Sequence, residues 1–297
     1  MQHFSGIWVP LVTPFAADDA VDHNARAGLA KRLAPRLAGF VVCGSTGEAH
    51  ALDDDEQLAV FDTVRAVVPD TRLVFGLGGP HRGHLRAQIA ALRPRRLDGL
   101  LVAPPYYVRP SQAAIIDYFL EVAEASPWPL IVHNVPYRKR VAMRFETFAA
   151  IAKHPNVQAV KDCGGDPTLT LELITRTPLE LLAGEDGQLL STLAIGGCGA
   201  ITASAHLYPE RFTAVVEVVN AGRIGDAQRF FHGLWPLIRT LFEEPNPAGI
   251  KAALAKLGLI DVRCRVPMHA ASEALTARLA ALLDAHAVVA GNASAAQ

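Results

Sequence analysis

Lys161 is the residue whose type and setting offer the most chemistry. It ends the run Val157-Gln158-Ala159-Val160-Lys161. A lysine at the end of a buried strand is expected to be partly desolvated, which lowers its pKa and frees the amine lone pair for attack on a ketone. The competing assignment is an amine that snorkels or pairs with Asp162 next door. A second run ends Cys43-Gly44-Ser45-Thr46-Gly47-Glu48, where two glycines bracket two hydroxyls. Such a turn can offer backbone N–H groups and hydroxyls to a carboxylate, or it is an ordinary polar turn. A third run leads into His133-Asn134-Val135-Pro136-Tyr137-Arg138. His133 is a candidate acid/base group there and Arg138 a carboxylate clamp, although a lone histidine is more often structural. The loop Pro104-Pro105-Tyr106-Tyr107-Val108-Arg109-Pro110 is stiffened by its prolines, and its tyrosines can relay protons or simply pack. His81-x-x-His84 is the only close histidine pair, is expected in a glycine-rich loop and has no HExxH context, so no metal is expected. A nucleophile elbow GxSxG and a Walker lysine are both missing.

These groups share a position: each follows a short apolar run. Eight such runs occur, at residues 7–12, 39–43, 73–77, 99–103, 130–133, 157–161, 179–183 and 199–202. They are too short for helices, and continuous apolar runs suit strands covered on both faces. Amphipathic segments lie between them. Residues 54–68 place Leu58, Phe61 and Val64 along one side, residues 111–125 begin at a candidate Ser111 cap, and Asp166-Pro167 reads as a cap followed by a first-turn proline. Strand-helix alternation repeated about eight times predicts a parallel sheet closed into a (β/α)8 TIM barrel. No GxGxxG follows the first run, which disfavours an open doubly wound sheet. Barrel active sites lie where strands end, so the groups above are expected to meet at one mouth. After residue 202 the runs stop, and residues 210–220, 224–242, 248–257 and 269–288 read as helices. The division expected is a barrel over residues 1–222 and a C-terminal helical appendage over 223–297, with residues 291–297 frayed.

Composition narrows the function. The chain has 297 residues, 51% hydrophobic and 19% charged, with 28 basic and 29 acidic side chains for a net charge of −1. Without a basic stripe or an acidic tail, no nucleic-acid or membrane-surface partner is expected. There is no apolar run of about 18 residues, and the first residues lead us to expect no export signal. The four cysteines are far apart in sequence and fit reduced thiols in a cytoplasmic protein.

The ordered set of motifs resembles the dihydrodipicolinate synthase / N-acetylneuraminate lyase family, closest to the synthase branch. The resemblance runs over nearly the whole chain. It is carried by Val9-Pro10-Leu11-Val12-Thr13-Pro14-Phe15, Gly44-Ser45-Thr46-Gly47-Glu48, Pro105-Tyr106-Tyr107, Asn134-Val135-Pro136, the Lys161 strand, Gly184-Glu185-Asp186, and Asn246-Pro247 with Lys251. It implies a (β/α)8 barrel with helical appendage, assembled as a homotetramer of two tight dimers, with no cofactor. It implies a class I lyase that joins pyruvate to Lys161 as an imine and condenses the derived enamine with an aldehyde. The leading reaction is 4-hydroxy-tetrahydrodipicolinate formation from pyruvate and aspartate semialdehyde. Thr46 with Ser45 would hold the pyruvate carboxylate, Ile201 would also contact substrate, and Arg138 would clamp a carboxylate on the aldehyde. Ser45 and Tyr107 match two positions of a three-hydroxyl proton relay, one member of which crosses a dimer interface. His133 stands where the family has a tyrosine. That departure leaves open another keto-acid aldolase or dehydratase, or a catalytically weak paralogue that binds a keto acid. Pro80 and His84 replace the asparagine and glutamate with which many synthases bind lysine, so lysine inhibition is not expected.

Overall fold

The computed structural model describes residues 3–294. Eight parallel strands close into one barrel in the order β1-β2-β3-β4-β5-β6-β7-β8. They are Gly6–Pro10 (β1), Gly39–Val42 (β2), Arg72–Leu77 (β3), Gly99–Val102 (β4), Leu130–Asn134 (β5), Val157–Asp162 (β6), Glu180–Ala183 (β7) and Gly199–Ile201 (β8). All eight apolar runs are therefore strands of the barrel. The Asp54–Val67 helix opens on a capping box, with Asp53 accepting from the Glu56 N–H and Glu56 from that of Asp53. The expected caps at Ser111 and Asp166 are also formed.

Side-chain alternation builds two cores. One residue per strand points inward at mid-height: Trp8, Val41, Val74, Leu101, Ile131, Ala159, Leu182 and Ile201, joined below by Phe4. Residues of opposite parity, such as Phe40, Val42, Phe75, Val132 and Val160, pack outward against the helices in the larger core. Burying each of these side chains contributes roughly 1.5–3 kcal/mol. Trp8 fills the barrel floor, and a Cβ on Gly39 would lie 2.4 Å from its ring, so only glycine fits opposite.

The Pro209–Asn220 helix packs on β1, and the Ile224–Leu241, Ala248–Lys256 and Glu273–Ser294 helices follow. The last helix starts later than periodicity suggested, because Ser272 caps it through Leu275 N and is itself held by Glu244. It also runs through residues 291–294, where fraying was expected; residues 295–297 lie outside the described ones. Among the described residues, no helix is long and apolar enough to cross a membrane.

Candidate active site

The inward parity that builds the floor also builds the site. Two residues beyond Ile131 and Ala159 come His133 and Lys161, and the register of β5 against β6 sets these two side by side. A register shift between Leu130 and Ile131 makes that pairing possible. Above them opens a cleft of about 430 Å³. Lys161, His133, Ser45, Thr46, Arg138 and Ile201 all reach its wall, so one cavity gathers six of the seven candidate residues. A second hollow of about 590 Å³ continues from the same residues towards His50, His81 and His84.

Lys161 is 7% exposed. The ion pair with Asp162 suggested by adjacency does not form, because successive strand residues face opposite ways. Asp162 points out of the barrel and accepts from Asn134 Nδ2, Gly164 N and Thr170 Oγ1, each at 2.8 Å. Its lone pairs are used, and among the described residues no carboxylate oxygen lies within 4.0 Å of the Lys161 amine.

The turn carrying Ser45 and Thr46 is braced from the appendage. Gly47 N and Ala49 N donate to Gly44 O, and Glu48 N donates to Ser45 O. Glu48 sits in left-handed backbone at φ 53°. Its fully buried carboxylate meets fully buried Lys251 at 2.5 Å and accepts from Arg265 N at 2.9 Å. Lys251 also donates to Arg263 O at 2.7 Å and lies 4.2 Å from the centre of the Phe15 ring. Burial pulls the Lys251 pKa below the usual lysine value, and the Glu48 carboxylate works against that pull. Asn246 Nδ2 donates to Thr46 Oγ1 at 2.8 Å. The turn therefore holds its shape without a ligand, as a carboxylate cradle requires.

On the opposite wall, Tyr137 Oη donates to Glu185 Oε1 at 2.7 Å, and Arg138 Nε donates to Tyr137 Oη at 3.4 Å. Burial and the Glu185 contact push the Tyr137 phenol up to about 12. Asp186 is buried, accepts from Ala203 N and Ser204 N at 3.1 and 2.6 Å, and has its pKa raised by desolvation. Cys163 stands two residues beyond Lys161, just past the end of β6, with Sγ 3.5 Å from His133 Nε2. Sequence reasoning passed over Cys163, although its spacing of two from Lys161 already placed it on the inward face.

The protein-family model described as the dihydrodipicolinate synthetase family matches residues 3–286. The chain belongs to this family. It is 36% identical over 289 residues to 4-hydroxy-tetrahydrodipicolinate synthase 1 of Streptomyces coelicolor, covering 96% of this chain and 95% of that one. The lysine-bound dihydrodipicolinate synthase of Cyanidioschyzon merolae superposes with a TM-score of 0.93 at 28% identity, covering 96% and 99% of the two chains. The pyruvate complex of the chloride-inhibited enzyme of Acinetobacter baumannii superposes with a TM-score of 0.91 at 28% identity, covering 94% and 98%.

Two features set this family member's mouth apart from the expectations above. Tyr107, the seventh candidate, is 95% exposed at φ 74° and does not reach the cleft wall within its own chain. His81 and His84 do not lie in an open loop: the Arg82–Leu92 helix starts between them, and His81 Nδ1 accepts from His84 N as its cap. His84 Nε2 lies 3.5 Å from Asp54 Oδ1, which also accepts from Gln88 Nε2. A carboxylate is thus present beside His84, but it is already engaged.

Proposed function

We propose that this protein condenses pyruvate with an aldehyde through a Schiff base on Lys161, as a 4-hydroxy-tetrahydrodipicolinate synthase-like lyase. The observation that carries the reading is a buried lysine without a carboxylate partner among the described residues, in the same cleft as the Ser45–Thr46 cradle. The pyruvate carboxylate lies against the Ser45 and Thr46 donors, which brings C2 to the lysine amine. The uncharged amine attacks C2 and water leaves, giving the imine. Loss of a C3 proton then gives an enamine, whose C3 attacks the aldehyde carbon. His133 moves protons at this stage, as an imidazole with one bare and one protonated nitrogen can. Arg138 binds a carboxylate on the aldehyde, as in aspartate semialdehyde, and Ile201 supplies an apolar wall. Relatives named for this activity support that substrate pair.

Glu185 favours a second reading, in which the same enamine meets a different aldehyde. Its carboxylate, tied to Tyr137, shares the mouth with Arg138 and makes that wall less purely cationic. Exposed Tyr107 in left-handed backbone fits a residue that completes its role against a second copy of the chain, consistent with a dimer and, by resemblance, a dimer of dimers. We assign the protein to the cytoplasm on its four free cysteines. We also treat residues 1–222 as the barrel and 223–297 as its helical appendage.

The test is borohydride reduction in the presence of pyruvate, followed by mass spectrometry and an aldehyde panel. A covalent adduct on Lys161 that disappears in Lys161→Ala is expected. A native protein that forms no adduct refutes the reading, and the best aldehyde in the panel separates the two substrate assignments.

A further inference from the structure

A phenol in the place of His133 would bring one hydroxyl whose proton needs no assignment. An imidazole brings two nitrogens, and the bond made by one sets the proton and the orientation of the other. Cys163 makes such a bond here, with its Sγ 3.5 Å from His133 Nε2. The sulfur is confined from below as well. A Cβ on Gly184 would lie 2.3 Å from it, so it rests directly on that glycine. Lys161, His133, Cys163 and Glu185 all line the one cleft.

We propose that Cys163 is the positioning residue for His133. Its sulfur accepts from the His133 Nε2–H and holds the imidazole beside Lys161 with Nδ1 unprotonated, so that Nδ1 of His133, and not Tyr107, takes the proton that leaves pyruvate C3. The inference rests on the imine reading above. In that step the C3–H bond breaks and its pair forms the C2=C3 bond. The C2=N π pair returns to the lysine nitrogen, and the proton goes to the imidazole. Tyr107 is absent from the cleft within its own chain, whereas the His133–Cys163 contact needs no second subunit.

The state of the sulfur suits this role. Burial pushes the Cys163 thiol up to about 12; a charged Lys161 works against the rise, while Glu185 and Asp162 add to it. The group therefore stays S–H. A thiolate would form an ion pair with the ring and hold a proton on it, which would spoil His133 as a base near neutral pH. The other titratable groups sharing the cleft wall are Tyr137, Arg138, Asp186, Glu243 and Glu244.

The experiment follows exchange of the pyruvate C3 protons in D2O by NMR, with borohydride trapping run beside it, for the native protein, Cys163→Ala and Cys163→Ser. Exchange reports the imine-to-enamine proton step without any aldehyde. Trapping reports imine formation and a folded site. The expected result is native-level trapping in both variants. Exchange in Cys163→Ala falls about 10-fold or more, on the scale of a catalytic group displaced by about an ångström. Its pH profile moves, and serine restores most of the rate. Unchanged exchange and pH profile in Cys163→Ala overturn the proposal. So does an equal fall in both variants with the profile unmoved, which is what a packing role alone produces. Absence of trapping in the native protein is a separate failure: it removes the keto-acid reading, and the positioning role with it.

Discussion

Lowering the pH from about 7.5 to about 4.5 should protonate His206 in the unfolded chain and leave it neutral in the folded one. His206 is fully buried between the end of β1 and the turn after β8. Its Nδ1–H donates to Ala203 O at 2.7 Å, and its Nε2 accepts from Val12 N at 3.2 Å. Both nitrogens are satisfied only in the neutral ring. Burial lowers the pKa from 6.5 to about 4, the Ala203 bond works against that, and the Arg26 charge adds to it. Between those two values the unfolded state binds the extra proton, so stability is full above 6.5 and is lost as the pH falls. Each unit is about 1.4 kcal/mol, so the loss at pH 4.5 is about 2.5 kcal/mol, a large share of a typical 5–15 kcal/mol. Asp186 acts in the opposite sense, since its raised pKa favours the folded state at acid pH. The measurement must therefore be a difference. Urea unfolding at both pH values is compared between the native protein and His206→Gln, with the imidazole titrated directly by NMR. The pH-dependent loss should shrink by about 2.5 kcal/mol in the variant. An equal loss in both proteins, or an imidazole that titrates near 6.5 in the folded state, refutes the reasoning.

Glu48→Leu should lower stability by about 3–5 kcal/mol, because it leaves the Lys251 charge buried without its partner. Glu48→Leu combined with Lys251→Met should recover most of that loss in chemical denaturation, and a double variant as unstable as the single one contradicts this account. Millimolar lysine should change neither the melting temperature nor the rate of the enzyme, since the carboxylate beside His84 is already bound by His84 and Gln88; a saturable shift in either quantity would count against it.

The amino-acid order by itself determined the strand count and the placing of Lys161 and His133 at strand ends, with Ser45, Thr46 and Arg138 in the segments that follow them. Such features depend on local periodicity and on the conformational limits of glycine and proline, which act over a few residues. Closure of the barrel then put the strand ends at one mouth. What adjacency suggested was overruled where backbone direction mattered. Asp162, next to Lys161 in sequence, faces Asn134 and Thr170 instead. The tertiary structure alone decided the remaining contacts, because each joins segments that meet only after the chain has closed. Cys163 meets His133 across two strands, Asn246 reaches Thr46 over 200 residues, and Lys251 finds Glu48 in a space from which water is excluded. No local pattern encodes a partner at that distance. A buried charge or a tethered imidazole becomes predictable only once the packing shows what stands opposite it.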